Sequence, residues 1–82
     1  MKLNCIAIDD EPLALQKIRR YTDKIEYLNL LEVFDNALDS LYYLKREKVD
    51  LIFLDIQMEE FTGMDLIKAL KNRPYKIGRA HV

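Results

Sequence analysis

Leu3 to Ile8 is apolar at nearly every position and carries two isoleucines, the pattern of a strand covered on both faces. Asp9, Asp10, Glu11 and Pro12 follow at once. Proline at a first helical position behind acidic residues signals a helix start, because its missing N–H has no partner there in any case. Leu13, Ala14, Ile18, Tyr21 and Ile25 then fall along one stripe of a helical period of about 3.6 residues, with Gln16, Lys17, Arg19 and Arg20 on the wet side. A second strand is predicted from Leu28 to Phe34, broken only by Asn29 and Glu32. Asp35 and Asn36 make the next turn. Asn36 is placed to cap a second helix through its side-chain oxygen, with Asp39 near the positive end of the helix dipole. That helix runs to about Lys45 on a stripe of Leu38, Leu41, Tyr42 and Leu44, and Arg46, Glu47 and Lys48 form its charged exit. Val49 to Leu54 supplies a third strand. Ile56 to Thr62 reads as a loop followed by Gly63, and Met64, Leu66, Ile67 and Leu70 define a third amphipathic helix that Pro74 ends.

Strands that are apolar on both faces, alternating with amphipathic helices, are the signature of parallel βαβ units with right-handed crossovers. No internal repeat or low-complexity tract competes with that pattern. The chain has 82 residues, room for one folded unit and no more. Its 13 Lys and Arg against 14 Asp and Glu are interleaved, so no basic stripe is available for a phosphate backbone and this segment is not expected to bind nucleic acid. No apolar run approaches the roughly 20 residues of a bilayer helix, and acidic residues interrupt the N-terminus before a secretory apolar region has formed. The expectation is a cytoplasmic protein that does not enter a membrane. The single cysteine, Cys5, has no second thiol for a disulfide or a zinc pair and reads as a buried, reduced packing residue.

In a parallel sheet the carboxyl ends of the strands share one edge, where ligands collect. Asp9 and Asp10 end the first strand and Asp55 ends the third. If those strands are neighbours, three carboxylates converge, and like charges that close raise at least one pKa unless a cation lies among them. Oxygen-only donors with no Cys or His beside them point to Mg²⁺; calcium would want a longer, regular ligand loop. An aspartate at a strand end beside such a cation suits a nucleophile for phosphoryl transfer. Asp35, Asp39 and Asp50 read instead as solvated turn residues.

IAIDDEP at Ile6 to Pro12, LIFLDIQM at Leu51 to Met58, and TG at Thr62 and Gly63 together resemble the receiver domain of bacterial two-component response regulators, over about residues 2–75. The resemblance implies an α/β, flavodoxin-like fold: a partial doubly wound parallel sheet, βαβαβα with strand order 2-1-3, lacking the last two βα units. It implies that Asp55 is the phosphoacceptor, taking a phosphoryl group from the phosphohistidine of a sensor histidine kinase. Asp10 and Asp55 would ligate Mg²⁺ through their side chains and Gln57 through its backbone carbonyl. Asp9 would act through a metal-bound water, and Glu11 would add charge without ligating. Such a module signals by phosphorylation-dependent association of a helical face rather than by turnover of a metabolite, so no enzyme activity is expected beyond self-dephosphorylation. The spellings DDEP and DIQM are similar to regulators with a LytTR-type DNA-binding output domain, and the full-length parent is expected to form a homodimer.

Glu59 stands where the family usually has proline, followed by Glu60, and two readings stay open: a carboxylate that weakens the approach of the phosphoryl donor, or, the favoured one, a change in loop shape. The family carries a hydroxyl residue after its fourth strand and a lysine after its fifth. On this reading the chain stops where the fourth strand should begin, so that neither strand is present, Lys24, Lys45, Lys48 and Lys68 cannot replace the lysine, and phosphorylation is expected to be weak or null. The third strand is then expected to be an unprotected, aggregation-prone edge. Residues 76–82 are expected to be a non-native tail, since IGRAHV from Ile77 to Val82 resembles a translated sequencing-library adapter, and His81 and Arg79 are assigned no role. Two other classes stay open: a Mg²⁺-dependent phosphohydrolase, against which Gln57 stands where a second aspartate is expected, and a non-phosphorylated interaction module with the same fold.

Overall fold

The computed structural model describes residues 2–55, 68 and 76–79. The alternation expected from the sequence is present. Strand β1 (Leu3–Ile8) leads to helix α1 (Pro12–Asp23), strand β2 (Leu28–Phe34), helix α2 (Ala37–Arg46) and strand β3 (Leu51–Leu54), and a further strand, β4, covers Lys76–Arg79. All pairings are parallel, in the order β2-β1-β3-β4. The expected order 2-1-3 is therefore the order of the first three strands. The expectation of a chain that stops short of a fourth strand is overturned, and so is that of β3 as an exposed edge: Leu51 to Leu54 pair with Lys76 to Arg79 on the side away from β1. A parallel ladder is made by backbone N–H and C=O groups, which every non-proline residue supplies, so a segment without an apolar pattern can still fill that place. The loop of residues 56–62 and Gly63 lie outside the described residues, as do the apolar positions assigned to the third helix. Lys68, within that expected helix, is helical and exposed.

The core lies on both faces of β1. Ile6, Ile8, Ile52 and Leu54 are fully buried and pack with Ala37, Leu44 and Val49 into one cluster, flanked by Leu31, Phe34, Leu41 and Tyr43. The Phe34 and Tyr43 rings meet edge to face, with centroids 5.4 Å apart. Cys5 and Ala7, which alternate with Ile6 and Ile8 along the strand, are buried as well. Burial pushes the Cys5 thiol pKa up, so the residue is a protonated packing group, as its sequence context implied. On β2, Cys5 pairs with Leu30 and Ile6 with Glu32, a bulge that leaves Leu31 as the extra residue.

Both helices begin where the sequence placed them but present different faces. Pro12 opens α1, and the Asn36 side chain accepts the Asp39 N–H at 2.9 Å to cap α2. The expected stripes included Leu13, Tyr21, Leu38 and Tyr42, and all four are more than half exposed. Ala14 and Leu44, also in the expected stripes, are buried as predicted, and the unexpected buried positions are Leu15 and Thr22 on α1 and Ala37 and Ser40 on α2. Small residues let a helix approach the sheet closely. The two hydroxyls lose nothing by burial because each bonds back to its own helix, Thr22 to the Ile18 carbonyl at 2.8 Å and Ser40 to that of Ala37.

Asp50 also departs from expectation. It is half-buried rather than a solvated turn residue, and its carboxylate accepts the Asn4 N–H at 2.8 Å across the start of β1 and β3.

Candidate functional site: three carboxylates at the carboxyl edge of the sheet

Asp9 and Asp55 each stand one position past a strand end, held there by a continued ladder bond, and Asp10 follows Asp9 into the turn. The Asp9 N–H donates to the Phe34 carbonyl at 3.0 Å, extending β1 along β2, and the Asp55 N–H donates to the Ile8 carbonyl at 3.0 Å, extending β3 along β1. Because β1 lies between β2 and β3, both extensions end on the same edge. The chain turns at once into α1: an Asp9 carboxylate oxygen accepts the Glu11 N–H at 2.9 Å, a short side-chain turn, and Pro12 begins the helix. The N-terminus of α1, which favours negative charge, thus opens beside the carboxylates.

Asp9, Asp10 and Asp55 each bring one carboxylate oxygen to within 4.8 Å of the others. Their exposure is graded. Asp9 is buried, with 2% of its surface accessible, Asp55 is half-buried and Asp10 is exposed. Burial raises the Asp9 pKa; the Glu11 N–H works in the opposite direction, and the charges of Asp55 and Asp10, with a hydrogen bond to Asp55, raise it further. A buried carboxylate facing two others wants either a proton or a cation. The donor set is all oxygen, so the group fits a hard divalent cation and not a thiolate-seeking metal.

The structure thus brings together Asp9, Asp10 and Asp55, as their positions at strand ends predicted. Glu11 is exposed and outside the group. Gln57, Glu59, Glu60, Thr62 and His81 lie outside the described residues. Asp35 and Asp39 stay on the surface, where both accept from the Asn36 side-chain amide. An open cleft bounded by Lys2, Thr22, Tyr27 and Asn29 lies at the other end of the sheet, away from the carboxylates. No helix among the described residues is long and apolar enough to cross a membrane.

Residues 5–80 match the family model of the response regulator receiver domain. The chain belongs to that family, the phosphoacceptor modules of two-component signalling. It is 32% identical over 78 residues to the sensory transduction protein LytR of Staphylococcus saprophyticus, covering 92% of this chain and 31% of that protein. With the transcriptional regulatory protein BtsR of Escherichia coli it shares 28% over 75 residues, 89% of this chain and 31% of that one. Among solved structures, the isolated REC domain of RcsB from Salmonella enterica serovar Typhimurium superposes with a TM-score of 0.84 at 26% identity, over 95% of this chain and 59% of that one. RcsB bound to the promoter rprA in the presence of the phosphomimetic BeF3- gives 0.85 at 25% identity, over 95% and 42%. The chain spans less than a third of the length of the first curated relatives it matches.

Proposed function

We propose that Asp55 is the phosphoacceptor of this receiver domain, that Asp9, Asp10 and Asp55 form its Mg²⁺ site with the backbone carbonyl of Gln57, and that the phosphoryl donor is the phosphohistidine of a sensor histidine kinase. The observation that carries this reading is the meeting of Asp55 with Asp9 and Asp10, three oxygens within 4.8 Å drawn from two separate strand ends. Asp55 is the member suited to attack, half-buried and held by its own N–H on Ile8. Asp9 lies too deep to meet a phosphoryl group on another protein.

In the transfer, an Asp55 carboxylate oxygen attacks phosphorus in line with the departing imidazole. The O–P bond forms as the N–P bond breaks, and the electron pair of that bond stays on the histidine nitrogen. Mg²⁺, when bound, supplies the positive charge that offsets repulsion between the incoming phosphoryl oxygens and the three carboxylates. Asp9 and Asp10 keep that charge at the site, and the α1 N-terminus beside them favours the added negative charge of the product.

LytR is by name a sensory transduction protein and BtsR a transcriptional regulatory protein, and RcsB is bound to promoter DNA. The longer parent of this chain, by the same reading, couples Asp55 to a DNA-binding output domain of the LytTR type through a homodimer in the cytoplasm. The test is incubation with acetyl phosphate and Mg²⁺, followed by intact mass. A gain of one phosphoryl group that disappears in EDTA and in Asp55→Asn is expected. β4 makes the sheet more complete than the sequence suggested, so the gain should be measurable even if slow. No gain, or a gain that survives Asp55→Asn, contradicts the assignment.

A further inference from the structure

Parallel neighbours such as β1 and β3 are joined by a long crossover, so no tight turn sets their register. The four apolar pairs within the ladder do not set it either. Cys5, Ile6, Ala7 and Ile8 are all fully buried, and they face the equally apolar Leu51, Ile52, Phe53 and Leu54. Sliding β3 by two residues would keep every side chain on its own face but would bring either Asp50 opposite Ile6 or Asp55 opposite Ala7, so the acids flanking the apolar run mark the register. At the carboxyl edge that slip would carry Asp55 about 6.6 Å along the strand. The three carboxylate oxygens now lie within 4.8 Å of one another, so such a slip would take the site apart.

Polar contacts at the opposite end distinguish the two registers. The Asp50 N–H donates to the Asn4 carbonyl at 2.7 Å, and the Asp50 carboxylate accepts the Asn4 N–H at 2.8 Å, so two residues exchange two bonds across the entry to β1 and β3. The Asn4 side-chain oxygen in turn accepts the Asn29 amide at 3.0 Å, and Asn29 is the residue paired with Asn4 on β2. Asn4 therefore ties three strands together at one level, and of the strand starts only that of β3 brings a carboxylate to it. We infer that Asp50 is a positioning residue, which locks β3 to β1 in the one register that places Asp55 beside Asp9 and Asp10. The inference rests on the reading of those three residues as the metal and phosphoacceptor site, and it adds what holds the third of them in place.

The measurement is Mg²⁺ affinity of the folded chain, read from the amide resonances of Asp9, Asp10 and Asp55, together with hydrogen exchange of the Asp55 amide. Asp50→Ala removes the acceptor, Asp50→Asn keeps one oxygen, and Lys17→Gly, at an exposed position of α1, lowers stability away from both strands. Asp50→Ala should bind Mg²⁺ about tenfold more weakly, a loss typical of residues that act through a ligand, and should lose protection at Asp55. Asp50→Asn should stay close to the unmodified chain on both readouts, and Lys17→Gly should leave the affinity of the folded population unchanged. If Asp50→Ala behaves like Lys17→Gly, the residue is merely structural and the inference is overturned. Should Asp50→Ala not fold, Asp50→Ser, with a shorter acceptor, takes its place in the same comparison. Failure of the unmodified chain to bind Mg²⁺ would sink the proposed site, and the Asp55 amide would still decide whether Asp50 sets the register.

Discussion

Asp9 carries the least comfortable charge in the described structure. The fold raises its pKa by burial and by the nearby Asp55 and Asp10, so the folded chain holds the Asp9 proton more tightly than the unfolded chain does. Between the ordinary carboxylate value and the raised one, the folded state binds more protons, and stability contributed by this residue is present at low pH and lost as pH rises through that window. In EDTA the thermal midpoint should therefore fall with pH in the intact chain relative to Asp9→Asn, which keeps an acceptor for the Glu11 N–H and carries no charge. At neutral pH Asp9→Asn should melt on the order of a few °C higher than the unmodified protein in EDTA, and Mg²⁺ should narrow that gap by stabilising the unmodified protein more. Parallel pH curves for the two proteins would show that the Asp9 charge is not under strain. At this same scale the sequence was most informative: Asp9, Asp10 and Asp55 stood out because they follow the ends of two apolar strands that deliver them to one edge of a parallel sheet. Asp50 did not stand out, since its partner is a backbone N–H that no sequence pattern advertises.

The elements themselves were legible in position and misjudged in orientation. Strands β1 and β2 run over the residues their apolar runs marked, and α1 opens at Pro12. The helical faces were right at Ala14 and Leu44 and misjudged elsewhere, because bulk was taken as the main mark of burial. Where a helix lies close on a sheet, Ala14, Thr22, Ala37 and Ser40 fit the contact, and Leu13, Tyr21, Leu38 and Tyr42 are displaced to the surface. The energetic consequence distinguishes the two faces. Leu44→Ala, at a buried position of the main cluster, should destabilise the chain by about 2–5 kcal/mol in denaturant unfolding. Leu38→Ser and Tyr42→Ser, within two helical turns on the same helix, should change it by only about 0.5 kcal/mol. A loss at Leu38 or Tyr42 as large as that at Leu44 would mean that those side chains are covered in solution.

For the whole molecule, the decisive feature is that β1 lies between β2 and β3, so that the turn leaving β1 and the residue leaving β3 meet on one edge. The order itself was inherited from a family likeness, and the fourth strand went unread because backbone pairing at Lys76 to Arg79 needs no apolar signature. A cation that binds the folded chain and not the unfolded one must also stabilise it, by about 2.7 kcal/mol at a hundredfold excess over its dissociation constant. The most direct measurement is accordingly a Mg²⁺ titration of the intact chain followed residue by residue by NMR. One equivalent of Mg²⁺ should move the Asp9, Asp10 and Asp55 amides along a single binding curve that Asp55→Asn weakens together for all three. Separate curves for the Asp9 and Asp10 pair and for Asp55, or no saturable change at any of them, would contradict a shared ion at this edge and with it the assignment of Asp55.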